Sequence, residues 1–489
     1  MRKDIYFMMQ RKVNKIICAG CAVGVLAASV GILCGAAASS KVFVRLDESD
    51  FLRTHGRTIQ NVRGQTVVLR GVNLGGWLLQ ESWMCPNNGG DKVWGYYDTL
   101  GVLTERFGVE KAAKLLNTYM DNWITVTDIE HLKELGVNCV RVPFWYRNFQ
   151  SDDNGTWVRN KKGEIDFSRL DWIVKECGKR GIYVILDMHG APGFQSNDHS
   201  CGKVNASKLF DLTLEGLKYR NQTAELWTEL AKHFRGNPAV AAFDLLNEPM
   251  SGFSEKEKKD CQLWRFYNKL YHAVRAADPK RMITVEGVWE MDNLPNPKLF
   301  CWDNIVYQLH IYNWKTSEID SKISEIQDKA KWNVPVIIGE FQAGGMWDYT
   351  ISAFNRNDLS WLTWTYKGAK SQKSDWFLFA GEPEPANLQE DTFEQIMAKW
   401  GKPCRTSSNF TENTELAETL KKYLTGYAET PGTPLKTETA APAELYEPET
   451  DIPDTDTGKP SAPVKVVFGT ATLVGLGTLA GLTKKKEDA

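Results

Sequence analysis

The chain has almost no excess of charge of either sign: 59 Lys and Arg stand against 61 Asp and Glu, a formal net charge of −2. That balance gives no case for a nucleic acid or another polyanion as partner, since such partners are held by concentrated positive charge. Zinc-type cysteine pairs are missing too. Of ten Cys, Cys18, Cys21 and Cys34 fall in the amino-terminal apolar stretch, and the remaining seven show no CxxC spacing, so no structural zinc is expected. An odd seven leaves at least one thiol unpaired in a monomer, and Cys139 in an apolar run and Cys177 in a helical pattern read as buried thiols. Large apolar residues are nearly absent from 426–463, which is rich in Pro, Thr, Glu and Ala. Such a segment cannot bury a core and is expected as an extended, disordered linker.

The two ends of the chain carry the opposite composition. Arg2, Lys3, Arg11, Lys12 and Lys15 precede an uncharged apolar run over 16–33, and Ala36-Ala37-Ala38 follows. A basic region, an apolar run and a small-residue end make residues 1–38 an expected secretory signal, and the protein a secreted, extracellular one. Residues 466–482 are again apolar and uncharged, and Lys484-Lys485-Lys486 closes the chain's basic tail. The segment 464–489 is therefore expected to be a transmembrane or sorting-signal-like anchor, giving membrane or cell-wall attachment at the cell surface. Its order resembles a Gram-positive cell-wall sorting signal, although 452–458 lacks a Pro-x-Thr-Gly core.

Between these ends, short apolar runs bounded by turn chemistry alternate with stretches of helical spacing. The runs at 67–73, 137–143, 182–188, 240–246, 282–285, 305–312, 336–341 and 361–366 read as eight strands. Helical spacing falls at 105–122, 128–135, 170–179, 223–234, 255–276, 317–331 and 411–424. Eight strands mostly separated by helices predict a (β/α)8 TIM barrel over 41–425, a size such barrels commonly reach when about 250 residues of barrel carry insertions. Two of the strands end in carboxylates: Asn247-Glu248-Pro249 follows the fourth, and Gly339-Glu340-Phe341 closes the seventh. In such a barrel the carboxyl ends of the strands converge on one open face, so Glu248 and Glu340 are expected to face each other across a cleft. Two opposed carboxyls suit hydrolysis of a sugar acetal, one donating a proton and the other staying ionised. Eighteen Trp fit the same chemistry, because an aromatic face packs on the C–H face of a pyranose, although most of them serve a core equally well.

Arg141-Val142-Pro143, Asp187-Met188-His189, Leu246-Asn247-Glu248-Pro249, His310-Ile311-Tyr312, Gly339-Glu340-Phe341 and Trp364 together resemble glycoside hydrolase family 5 over roughly residues 60–425. Within it, Gly71-Val72-Asn73-Leu74-Gly75-Gly76-Trp77 with Glu81, and His189-Gly190-Ala191-Pro192-Gly193, are similar to the exo-β-1,3-glucanase branch. The resemblance implies Glu248 as acid/base and Glu340 as nucleophile, with Arg141 keeping the nucleophile charged. It implies Asn247 at the sugar 2-hydroxyl, His189 and His310 beside the cleaved bond, Tyr312 near the nucleophile, Trp364 as aromatic floor and Glu81 as a sugar-hydroxyl acceptor. No metal or other cofactor is implied, and the expected partner is a polysaccharide or oligosaccharide. The expected activity is retaining hydrolysis of β-glucan with β-1,3 linkages favoured. Action on β-1,4-glucan or β-mannan, and a non-catalytic wall-bound glycan-binding role, stay open beside it. Trp145, Arg147, Gln342 and the loop 194–202 depart from that branch and bear on pocket versus open groove.

Overall fold

The computed structural model describes residues 45–90, 93–254, 262–312, 314–370 and 375–425. The chain divides into two units, Met1–Pro434 and Leu435–Ala489, and the second lies wholly outside the described residues. Eight strands form a closed barrel in the first: β1 (Arg70–Asn73), β2 (Cys139–Trp145), β3 (Tyr183–Gly190), β4 (Val240–Asp244), β5 (Met282–Glu286), β6 (Ile305–Tyr312), β7 (Val336–Gln342) and β8 (Ser360–Thr363). Every neighbouring pair is parallel and consecutive in the chain, and β8 pairs with β1 to close the ring. All eight expected strands are present. The first is shorter than its apolar run because residues 66 and 67 pair instead with the antiparallel hairpin Arg53–His55 and Thr58–Gln60.

Strand alternation sets the composition of the lumen. Cys139, Ile185, Ala242, Met282, Val306, Ile337 and Leu362 form an apolar layer, closed by Leu52 and Ile59 around the hairpin. Two residues further along each strand, the same inward face carries Arg141, Asp187, Asp244, Thr284 and Gln308. The lumen thus changes from hydrocarbon to ionisable groups toward the carboxyl ends of the strands. On the outside, a larger apolar cluster joins barrel and helices. The helix Leu263–Ala277 shows why it packs there: Leu263, Phe266, Tyr267, Leu270, Tyr271, Val274 and Ala277 are buried at helical spacing on one face.

One irregularity decides where a carboxylate points. On β7, Ile337 faces the lumen and pairs with Gln308, so strict alternation would turn Gly339 inward and Glu340 outward. The β6–β7 register skips a residue between Ile338 and Glu340, and Glu340 pairs with the inward His310. Gly339 is the extra residue, and the bulge brings Glu340 into the lumen. A Cβ at Gly339 would lie 2.3 Å from Gln308 Cδ, so only glycine fits the close approach.

The structure corrects several expectations. The helical stretch 105–122 is two helices, Tyr96–Phe107 and Val109–Trp123, because Gly108 takes φ +82° between them. Helices Trp347–Arg356 and Phe393–Trp400 were not read from the sequence. The membrane anchor is corrected as well: among the described residues no helix is long and apolar enough to cross a membrane, so membrane attachment through a transmembrane tail has no support. The residues it was placed on, 464–489, lie outside the described residues, as do the signal at 1–38 and the linker at 426–463. Among the described residues Cys85, Cys139, Cys177, Cys201 and Cys404 are buried free thiols, and Cys301 is an exposed one.

Replacing Gly339 by Ala forces Gln308 out of its buried position, since the new methyl overlaps it. Urea unfolding is expected to show a loss of about 1–3 kcal/mol, the range for overpacking a buried site.

Candidate active site

Arg141, fully buried at the mouth of the barrel, reaches four strands at once. Its Nε donates to Asp244 Oδ2 at 2.7 Å, Nη1 to Glu340 Oε1 at 2.6 Å and to Asn73 Oδ1 at 3.2 Å, and Nη2 to Asn247 Oδ1 at 2.9 Å. Asp187 Oδ1 lies 3.1 Å from Nη2 without the alignment of a hydrogen bond. A guanidinium suits this place because its fork of donors is rigid and it keeps its charge when buried; burial works against the cation here, and Asp187, Asp244 and Glu340 hold it. Asn247, with its oxygen taken by Arg141, has a buried Nδ2 without a hydrogen-bond partner among the described residues. That donor is left for a ligand hydroxyl.

Glu340 is gripped from both sides, with Arg141 on Oε1 and Tyr312 Oη donating to Oε2 at 2.7 Å. Burial pushes its carboxyl up, while the Arg141 guanidinium pulls it back toward the anion. Glu248 has no guanidinium. Its Oε1 lies 2.9 Å from His310 Nδ1 and its Oε2 3.3 Å from Ser200 Oγ, and burial raises its carboxyl from 4.5 to about 7. Its backbone sits at φ 41°, a left-handed conformation that a side chain disfavours, and its N–H donates to Glu286 Oε2 at 3.0 Å. His310, held down to about 3 by burial, is a neutral imidazole.

The remaining residues singled out from the sequence surround this pair. His189 donates or accepts at Nδ1 with Asp187 Oδ2 at 2.7 Å, and its ring stacks on Trp364 with centroids 5.4 Å apart and planes 6° from parallel. Glu81 is buried, with Trp83 Nε1 at 2.9 Å and His199 Nε2 at 3.0 Å on the same oxygen; burial opposes its charge, but those bonds hold its carboxyl below the ordinary range. Aromatic rings frame the mouth: Trp376 stacks on Tyr312 at 5.6 Å, and Trp289 stands edge-on to Tyr312 at 6.0 Å. Of the departures noted in the sequence, the loop 194–202 reaches the site, with His199 on Glu81 and Ser200 on Glu248, and the other three fall elsewhere. Trp145 is core, packed on Tyr96 and Tyr146; Arg147 pairs with Asp153; and Gln342 Oε1 accepts the Gly344 N–H.

Sequence reasoning missed Gln195, Gln308 and Glu286. Gln195 ties two strand-end segments, its Nε2 donating to the carbonyls of His189 and Asn247 and its Oε1 accepting from Ala191 N–H. Nothing in the loop spacing marks it. Glu286 ends β5 as Glu340 nearly ends β7, so the signal that found one carboxylate was present for the other. Glu248, His310 and Glu340 each bring a ligand-type atom within 4.8 Å of the others. Those atoms are already engaged with one another, Arg141 and Tyr312, and the trio reads as a hydrogen-bonded set beside a fixed cation rather than a cation site.

A parallel barrel with two such carboxyls at its mouth defines a glycosidase-like class of protein. Residues 103–370 match the family described as cellulase (glycosyl hydrolase family 5), and the chain belongs to that family and is a glycoside hydrolase. A beta-xylosidase of Phanerodontia chrysosporium is 30% identical over 267 residues, 54% of this chain and 52% of that protein. A glucan 1,3-beta-glucosidase of Candida oleophila is 26% identical over 383 residues, 65% of this chain and 85% of that one. The match thus spans about half the length of the first relative, and most of the named relatives are glucan 1,3-beta-glucosidases. Among solved structures, an endogalactoceramidase gives a TM-score of 0.51 at 19% identity, covering 76% of this chain and 84% of that one. A rutinosidase from Aspergillus niger gives 0.50 at 17%, covering 62% and 90%. At such identities the likeness is one of fold.

The raised Glu248 carboxyl makes stability depend on pH. A group that binds its proton more tightly folded than unfolded gives stability that is full below 4.5 and is lost as pH rises to about 7. Relative to Glu248→Gln, the parent protein is expected to lose about 3 kcal/mol of unfolding free energy across that window, read from denaturant titrations at each pH.

Proposed function

We propose that the chain is a retaining glycoside hydrolase of β-glucosidic bonds in β-glucan, with β-1,3 linkages favoured. Glu248 is its acid/base and Glu340 its nucleophile, within a catalytic domain spanning about 41–425. The observation that carries this reading is that Glu248 and Glu340 offer oxygens within 4.8 Å of one another. Retaining pairs stand about 5–5.5 Å apart, whereas inverting pairs leave about 6.5–9.5 Å for a water.

In the first step the Glu340 carboxylate attacks the anomeric carbon while the Glu248 proton passes to the departing glycosidic oxygen. In the second, Glu248 takes a proton from water, which displaces Glu340 and restores both groups. The environments divide the roles. Arg141 and Tyr312 stabilise charge on Glu340, and Glu248 keeps a proton near neutral pH. The unpaired Asn247 Nδ2 supports a role at the sugar 2-hydroxyl, and the stacked His189 and Trp364, with Glu81, a role in lining the sugar's subsite.

The β-1,3 preference rests on the glucan 1,3-beta-glucosidase relatives, and the beta-xylosidase relative favours a second reading, release of single residues from small β-glycosides. The basic and apolar leader supports export from the cell.

Product analysis on laminarin, cellulose, mannan, mixed-linkage glucan and aryl β-glucoside and β-xyloside separates the substrates. Proton NMR of the first product is expected to show the β-anomer. Glu248→Gln is expected to lower kcat on laminarin about 10²–10⁴-fold, the usual contribution of general acid–base catalysis, and Glu340→Gln to abolish turnover. Laminarin hydrolysis unchanged in both variants would overturn the assignment.

A further inference from the structure

Glu286 lies beneath the catalytic pair, fully buried at the end of β5, and the mechanism above does not use it. Its Oε2 accepts from Glu248 N–H at 3.0 Å and from Gln308 Nε2 at 3.3 Å. Its Oε1 is buried, with no hydrogen bond formed, 3.5 Å from His310 Nε2. His310 therefore bridges the two acids, with Nδ1 at 2.9 Å from Glu248 Oε1 and Nε2 toward Glu286.

The hydrogens around Nε2 can be counted. Gln308 Nε2 lies 3.4 Å from His310 Nε2, but its two hydrogens go to Asp244 Oδ2 at 3.0 Å and to Glu286 Oε2. Among these neighbours only Glu286 Oε1 can complete the imidazole. Either Glu286 carries a proton and donates it to Nε2, or His310 carries one on Nε2 and its bare Nδ1 accepts the proton of Glu248.

We propose that Glu286 is a positioning residue that keeps a proton on Oε1 and donates it to His310 Nε2, fixing the neutral imidazole in its Nδ1–H form. The Nδ1–H then lies on Glu248 Oε1, so the proton that Glu248 transfers sits on Oε2, the oxygen near Ser200. The O–H of Oε2 breaks in the first step and its proton goes to the leaving oxygen; the protons on His310 and Glu286 stay where they are.

The charges around Glu286 agree with a neutral acid. Asp244 from β4 is a like-signed neighbour, His310 is neutral, and the one cation among the described neighbours, Arg141, is shared with Asp187, Asp244 and Glu340. Burial and Asp244 together push the Glu286 carboxyl well above its ordinary range, against the pull of Arg141. The inference rests on Glu248 as acid/base for its catalytic consequence, but not for the imidazole tautomer.

The test uses the full chain labelled with ¹⁵N-histidine, as parent, Glu286→Gln and Glu286→Val. An amide at 286 can donate to Nε2 as the acid does, so Glu286→Gln is expected to keep the Nδ1–H form and stay within about 3-fold in kcat/KM with its alkaline limb in place. Glu286→Val is expected to mix the tautomers and lower kcat about 10–100-fold at little change in KM, the loss expected for a misplaced proton donor. An Nε2–H tautomer in the parent would overturn the proposal. So would an alkaline limb in Glu286→Gln lower by about one pH unit, the mark of a removed anion. If the valine variant does not fold, the parent tautomer and the glutamine pH profile decide. A parent with the Nδ1–H form that cleaves no glycoside would sink the functional reading and leave this assignment standing.

Discussion

The guanidinium of Arg141 is the constraint on which the mouth of the barrel depends. One cation faces Asp187, Asp244 and Glu340 with almost no water near, so the number of negative charges that can coexist there is small. Burial raises the Asp187 carboxyl to about 7 and the Asp244 carboxyl to about 6 even beside the arginine. Protons are therefore retained among these acids near neutral pH. Which acid goes without one is decided by direct hydrogen bonds, and Glu340, with Arg141 and Tyr312 both donating to it, has the strongest pair.

That shortage of positive charge separates two residues of one type. Glu248 and Glu340 are both buried near strand ends, and residue type and burial alone do not tell them apart. Their surroundings do: a charged fork and a phenol on one, a neutral imidazole and a serine on the other. The aromatic rings around the mouth act on this asymmetry by shielding it from solvent, which strengthens every polar contact beneath them.

The barrel was legible because its strands are buried on both faces and so read as unbroken apolar runs, from 182–188 to 305–312. Helix ends were less so. The break at Gly108 depends on a backbone angle that spacing does not report, and in Trp347–Arg356 the helical recurrence of Trp347, Ile351 and Phe354 competes with a strand-like alternation of Trp347, Tyr349, Ile351 and Ala353. At the site, Glu248, Glu340, Arg141 and Asn247 stand in ordered motifs after strands. Gln195 and Gln308 act only through contacts across the lumen, and a glutamine in a loop or mid-strand carries no sign of that in the sequence. The apolar tail was a different failure, because composition measured a run's length and oiliness, while no described helix of the protein has the character of a membrane span.

The bulge at Gly339 has a consequence for how this chain can vary. A strand read two by two has a parity, and the extra residue between Ile338 and Glu340 reverses it once, just before the position that matters. Loss of a single residue from the first half of that strand would take up the bulge and leave Glu340 on the same inward face, opposite His310. A regular strand of unchanged length would instead turn Glu340 toward the helices, so the bulge is what lets the strand keep its length and still present the carboxylate to the lumen.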